Sequence, residues 1–177
     1  MFTLFQKIFL KLKLYFKLLI LSPGIVIHEF SHVVFCLISG VKIHKVRFFR
    51  LSERAGYVKH SEPKDFIEAF LISFGPLFLN TLLSFLAFKQ FNLNFAEPKN
   101  LLFLYLGITI ALAAIPSDED GDSFGKYIKL RFKKNILFFP LFLFYLIIWF
   151  LNIANYLKKF GLDYFFTAFV FYLALFY

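Results

Sequence analysis

The sequence predicts an all-α, polytopic membrane bundle of about six spans, with a small β-hairpin between the second and third. Three observations carry that prediction. Hydrophobic residues make up 60% of the 177 residues, 30 of them Phe, and mean hydropathy is +0.72. A chain this short cannot bury so much apolar surface in one core, so lipid is the solvent that fits. Apolar runs of roughly the ~20 residues that a span needs recur along the chain. One polar stretch mixes β-branched and charged residues and reads as strands.

Taken in order, the apolar segments are 3–21, 22–40, 66–88, 100–116, 136–156 and 161–177, the fourth and sixth being short. In the first, Lys7, Lys11, Lys13 and Lys17 fall within one arc of a helical wheel. That suits a helix lying at the interface or a first span with snorkelling lysines. No small-residue cleavage site follows, so a signal peptide is not the reading. Pro23-Gly24 is read as the break before the second segment and Gly40 as its end. Residues 41–65 hold Val41, Ile43 and Val46, then Gly56 before Tyr57-Val58, the pattern of a hairpin at the membrane surface. Ala96-Glu97-Pro98-Lys99, with Asn92 and Asn94, separates the third segment from the fourth. No internal repeat or low-complexity linker divides the chain, so 1–177 is one domain.

The net charge of +9 sits in clusters between the apolar runs, as in cytoplasmic membrane loops and unlike a nucleic-acid-binding face. Lys42, Lys45, Arg47, Arg50, Arg54, Lys59 and Lys64 mark the 41–65 loop; Lys126, Lys129, Arg131, Lys133 and Lys134 mark the 117–135 loop. Six spans place both, with the N-terminus, on the cytoplasmic side. The single Cys36 excludes an internal disulfide and a multi-cysteine zinc finger.

Within the second segment, His28-Glu29-Phe30-Ser31-His32 matches H-E-x-x-H. On a helix His28 and His32 share a face and can grip one metal ion, with Glu29 beside it as general base. Ionisable groups inside a span are costly and usually functional. Imidazole donors point to one Zn2+ per chain. A catalytic zinc takes three protein ligands, so a third is expected. Cys36 lies one turn further along the same face; His44 and His60 lie in the polar loop; Asp118, Glu119, Asp120 and Asp122 follow the fourth segment, where Pro116 ends the helix and Gly121 permits a sharp turn. A structural histidine pair and a solvated acidic helix start are the plain alternatives.

The chain resembles the site-2-protease-like intramembrane zinc metalloproteases (peptidase family M50). The motifs are "HEFSH", "ISFGPLFLN" at 72–80 and Asp120-Gly121 in order, with "PG" at 23–24, "GYVKH" at 56–60 and Pro116-Ser117-x-x-Asp120 similar to small prokaryotic members. The resemblance covers a core of 22–125. It implies that His28, His32 and Asp120 are the metal ligands and Glu29 the catalytic residue. It departs at Ala114-Ile115-Pro116-Ser117-Asp118-Glu119-Asp120-Gly121, where the usual Asn, second Pro and Leu are missing. It further implies a multi-pass protein of a prokaryotic plasma membrane, acting on transmembrane protein substrates within the lipid bilayer and cutting peptide bonds in or near their spans.

On that reading a hairpin edge carrying Tyr57 could pair with an unwound substrate, and Asn80 could bond its backbone or instead tie two helices. Gly75 and Pro76, expected with Tyr57 and Asn80 to bind substrate, would let backbones approach or kink the third span. The rivals are an inactive relative acting as a membrane scaffold and a transporter, since intramembrane acids and histidines also mark ion paths. A di-iron oxygenase would need many more than four histidines.

Overall fold

The computed structural model describes residues 4–52, 54–93, 95–132, 153 and 156–177. Its elements are α1 (Leu4–Ile38), β1 (Ile43–Arg47), β2 (Tyr57–His60), α2 (Phe66–Lys89), α3 (Pro98–Leu112), α4 (Asp118–Phe132) and α5 (Leu162–Phe176). A helical protein with one small antiparallel hairpin is what the sequence predicts. Segment 136–156 lies outside the described residues apart from 153 and 156.

The expected break at Pro23-Gly24 is not there. α1 is one helix of 35 residues with Pro23 inside it. A proline within a helix strips the carbonyl four residues back of its donor. Here that carbonyl belongs to Leu19, and the Ser22 hydroxyl donates to it at 2.8 Å. Tyr105 of α3 donates to the next carbonyl, that of Ile20, at 2.7 Å. Gly24 serves packing, not breakage: a Cβ there would lie 1.9 Å from the Thr109 carbonyl oxygen, so α1 and α3 cross backbone to backbone. At 1.5 Å per residue α1 is about 52 Å long. Segments 3–21 and 22–40 are therefore one element and cannot be two spans. The charge argument for six spans and a cytoplasmic N-terminus rested on their separation and falls with it.

Among the described residues two helices are long and apolar enough to cross a membrane, Ile8–Ile38 within α1 and Phe66–Lys89. The apolar helices α3 and α5 have 15 residues each, about 22 Å against a hydrocarbon layer of ~30 Å. Phe16, Leu37 and Ile38 on α1, Phe78 and Leu82 on α2, and Phe165 and Phe169 on α5 are exposed. Apolar surface of this extent suits contact with lipid.

In the hairpin Lys45 faces Lys59, Val46 faces Val58 and Arg47 faces Tyr57, with a bulge between Ile43 and Lys45. It folds back along α1. Val41 and Ile43 pack with Cys36 and Ile72, Gly56 abuts Glu29, and Arg50, Ser52 and Arg54 share a groove with Lys11 and Tyr15.

α2 starts at an Asp65 cap, which accepts from the Glu68 N–H at 2.9 Å. It buries a polar seam of Ser73, Asn80 and Ser84, the glue expected between helices in lipid. Around it, Phe124 and Ile128 of α4 pack on Ala69 and Phe74, while Val170 and Ala174 of α5 pack on Phe88 and Ala111. Of the 117–135 stretch, expected as a loop, Asp118–Phe132 is helical. Gly121 does not turn the chain: its N–H donates to the Ser117 carbonyl at 3.1 Å, inside the first helical turn.

Candidate metal centre

The i, i+4 spacing on α1 sets His28 and His32 side by side, with their Nε2 atoms 3.2 Å apart. Asp120 reaches both: Oδ1 lies 3.1 Å from His32 Nε2 and Oδ2 lies 3.4 Å from His28 Nε2. Their side chains are only 9–14% exposed. All three donor atoms lie within 4.8 Å of one another. The third candidate ligand is thus Asp120, and Cys36 is elsewhere, buried against Val41 and Ile72.

Each imidazole is oriented through its other nitrogen. His28 Nδ1 is 2.7 Å from the Ala113 carbonyl, just past the end of α3, where helix carbonyls lack intrahelical donors. His32 Nδ1 is 2.9 Å from the Ile72 carbonyl. That carbonyl is free because residue 76, four positions on, is a proline with no N–H to give it. A carbonyl can only accept, so both Nδ1 atoms carry the proton and both Nε2 atoms present lone pairs to the same point.

Asp120 is held by a capping box. Ser117 accepts from the Asp120 N–H at 3.3 Å, while Asp120 Oδ2 accepts from the Ser117 N–H and hydroxyl, each at 2.7 Å. This is the physical content of Pro-Ser-x-x-Asp: the proline halts the preceding chain and the serine starts a helix whose third residue is the ligand. Burial opposes the charge on this carboxyl, but with no metal bound the His32 and His28 imidazoles, when protonated, outweigh it and hold Asp120 well below the ordinary aspartate range. The N-terminus of α4 favours the same anion.

Glu29 is 8% exposed and lines the same cavity, of about 110 Å³, with His28, His32 and Asp120. That is room for several waters. Gly56 makes room for it, since a Cβ there would lie 2.6 Å from Glu29 Cγ and 2.7 Å from Oε1. Tyr57 and His60 line the cavity from β2. Arg54 pairs with Glu119 at its rim.

Three of the expected substrate contacts are placed differently. Asn80 is fully buried. Its Oδ1 accepts from the Ser31 hydroxyl at 2.7 Å and its Nδ2 donates to the Ile110 and Ala113 carbonyls at 3.4 and 3.3 Å. It ties α1, α2 and α3 together and does not line the cavity. Gly75 is a helix contact, since a Cβ there would meet the Phe35 ring at 2.3 Å. Pro76 is fully buried and acts through the Ile72 carbonyl. Tyr57 alone of the four borders the cavity. His60, a candidate third ligand from the polar loop, is a hairpin residue that lines the cavity without joining the donor set; Arg54, Gly56 and Ser117 had no expected role at the site, although "GYVKH" and Pro-Ser-x-x-Asp were the signals that could have placed the last two. His44 stays away, exposed and bonded to the Ser61 hydroxyl at 2.9 Å.

No protein-family model, curated protein or solved structure matches this chain.

Proposed function

We propose that this chain is an intramembrane zinc-dependent endopeptidase of the site-2-protease type, a multi-pass protein of a prokaryotic cell membrane that cuts transmembrane protein substrates. The observation that carries the reading is the donor triangle of His28, His32 and Asp120. Ligands at zinc–nitrogen and zinc–oxygen distances of ~2.0–2.1 Å in a tetrahedron are about 3.3–3.4 Å apart. Here the two Nε2 atoms are 3.2 Å apart, Asp120 meets His32 through Oδ1 at 3.1 Å and His28 through Oδ2 at 3.4 Å, and one donor atom from each residue lies within 4.8 Å of the others. Two imidazole lone pairs and a carboxylate converging at that spacing repel one another unless a cation lies between them, and the donor set suits zinc.

Bound there, zinc would polarise the scissile carbonyl and acidify water. Glu29 takes the proton of the attacking water and returns it to the leaving amine. Gly56 keeps the space that its carboxylate needs. Asp120, fixed by Ser117, would not compete for that proton because its charge would be taken up by the metal it ligates. The cation-rich hairpin along α1 gives water a polar flank to reach the cavity. Tyr57 and the strand edge beside it are placed to hold an unwound substrate segment through its backbone.

Metal analysis of the purified full-length protein tests the reading, with one zinc per chain expected. Glu29→Gln should keep the zinc and abolish cleavage, so that a single-pass protein accumulates in membranes of the variant strain. Wild type without stoichiometric metal would sink the proposal. Transport that survives Glu29→Gln would favour the transporter rival.

A further inference from the structure

The link between α3 and α4 delivers Asp120 to the histidines, and its carbonyls are spoken for by side chains from three other elements. The Ala113 carbonyl accepts from His28 and Asn80. Those of Ile115 and Pro116 both accept from the ammonium of Lys158, at 3.0 and 2.9 Å. The next residue, Ser117, opens the capping box on Asp120.

Lys158 lies far along the chain, in helical conformation just before the 159–161 turn that leads into α5. The Gly161 N–H donates to the Lys158 carbonyl at 3.0 Å, and Gly161, at φ +88°, takes the left-handed conformation that leads into α5. α5 is in turn anchored on Phe88 and Ala111. The ammonium is part-buried. Burial pushes its pKa down from the ordinary lysine value, while the carboxylates of Asp120, Asp118 and Asp163 act the other way. A lysine that commits two of its three N–H groups to consecutive carbonyls is a clamp, not a solvated surface charge. It also places a cation just past the C-terminal end of α3, where the helix dipole favours one.

We infer that Lys158 is a positioning residue for the metal centre: by holding the Ile115 and Pro116 carbonyls it fixes the segment that sets Asp120 against His28 and His32. The inference rests on the metal-centre reading above and deepens it. The C-terminal helix thereby becomes part of the site without touching substrate.

The test uses the full-length protein in detergent, with zinc affinity from chelator competition and the visible spectrum of the cobalt(II)-substituted protein. Lys158→Met keeps the apolar stem and removes the donors. It should fold, bind one metal about 10–100-fold more weakly, the range for residues that orient ligands, and lose intensity in the cobalt bands as tetrahedral geometry relaxes. Lys158→Arg should recover most of both. Wild-type affinity and an unchanged cobalt spectrum in Lys158→Met, alongside metal loss in Asp120→Ala, would overturn the clamp and leave the metal centre standing. Wild type that takes up no stoichiometric metal would overturn the metal-centre reading itself. Should Lys158→Met fail to fold, Lys158→Gln is read in its place with the same two outcomes. Loss of fold in both by circular dichroism would make Lys158 a fold residue and refute the positioning role.

Discussion

Pro76→Ala should make the fold more stable and the metal site worse. Proline inside a helix costs about 3 kcal/mol relative to alanine. Against this, the variant loses two ring methylenes at a fully buried position, about 1.6 kcal/mol at ~0.8 each. The metal-free protein should therefore gain roughly 1 kcal/mol, or a few degrees in thermal midpoint. The restored N–H at position 76 competes with His32 Nδ1 for the Ile72 carbonyl, now held at 2.9 Å. A ligand histidine that loses its orienting partner typically costs 10–100-fold in metal affinity, or about 1.4–2.8 kcal/mol. Thermal unfolding with and without zinc, and chelator competition, read the two effects separately. The metal-induced rise in midpoint should shrink while the metal-free midpoint rises. Zinc affinity equal to wild type would show that the carbonyl serves both donors and that the proline is not what orients His32.

Asp120→Ala should lower zinc affinity strongly and Asp118→Ala only mildly, measured by the same competition; equal losses would refute Asp120 as the ligand. Gly56→Ala should abolish cleavage while keeping one zinc per chain, because the three atoms nearest the added Cβ, at 2.6–2.9 Å, all belong to the Glu29 side chain; retained activity would refute the packing argument. Asp120 is depressed in the folded protein, so its contribution is present above the unfolded value of about 3.9 and fades only as pH falls through the lower folded one. The gap in thermal midpoint between metal-free wild type and Asp120→Asn should thus persist at pH 5 and narrow only once the pH falls below about 3.9; a gap already gone at pH 5 would contradict it.

What could be read from the sequence divides along a physical line. The His28–His32 pair was legible because helix periodicity alone makes residues four apart neighbours. The hairpin was legible because β-branched residues and a glycine stood in a polar stretch. Proline was misread at both ends of the site, for one reason: its local effect is to orphan a carbonyl, and what happens next depends on which donor is near. At Pro23 the donor is the adjacent Ser22, so α1 runs on as one helix where a break was expected. At Pro76 the donor is His32, forty residues from the Ile72 carbonyl, so a residue expected to meet substrate instead aims a candidate metal ligand. Ser22 stood next to Pro23 in the sequence and could have been weighed; His32 could not be matched to Ile72 before the two helices were packed. Asn80 follows the same logic, since its partners sit on α1 and at the C-terminal end of α3, and only their assembly decides that it is buried and does not line the cavity. In lipid every freed backbone group must find a protein partner. A proline in such a chain therefore marks a carbonyl with a dedicated partner, and in this protein that rule leads from Pro76 directly to the metal centre.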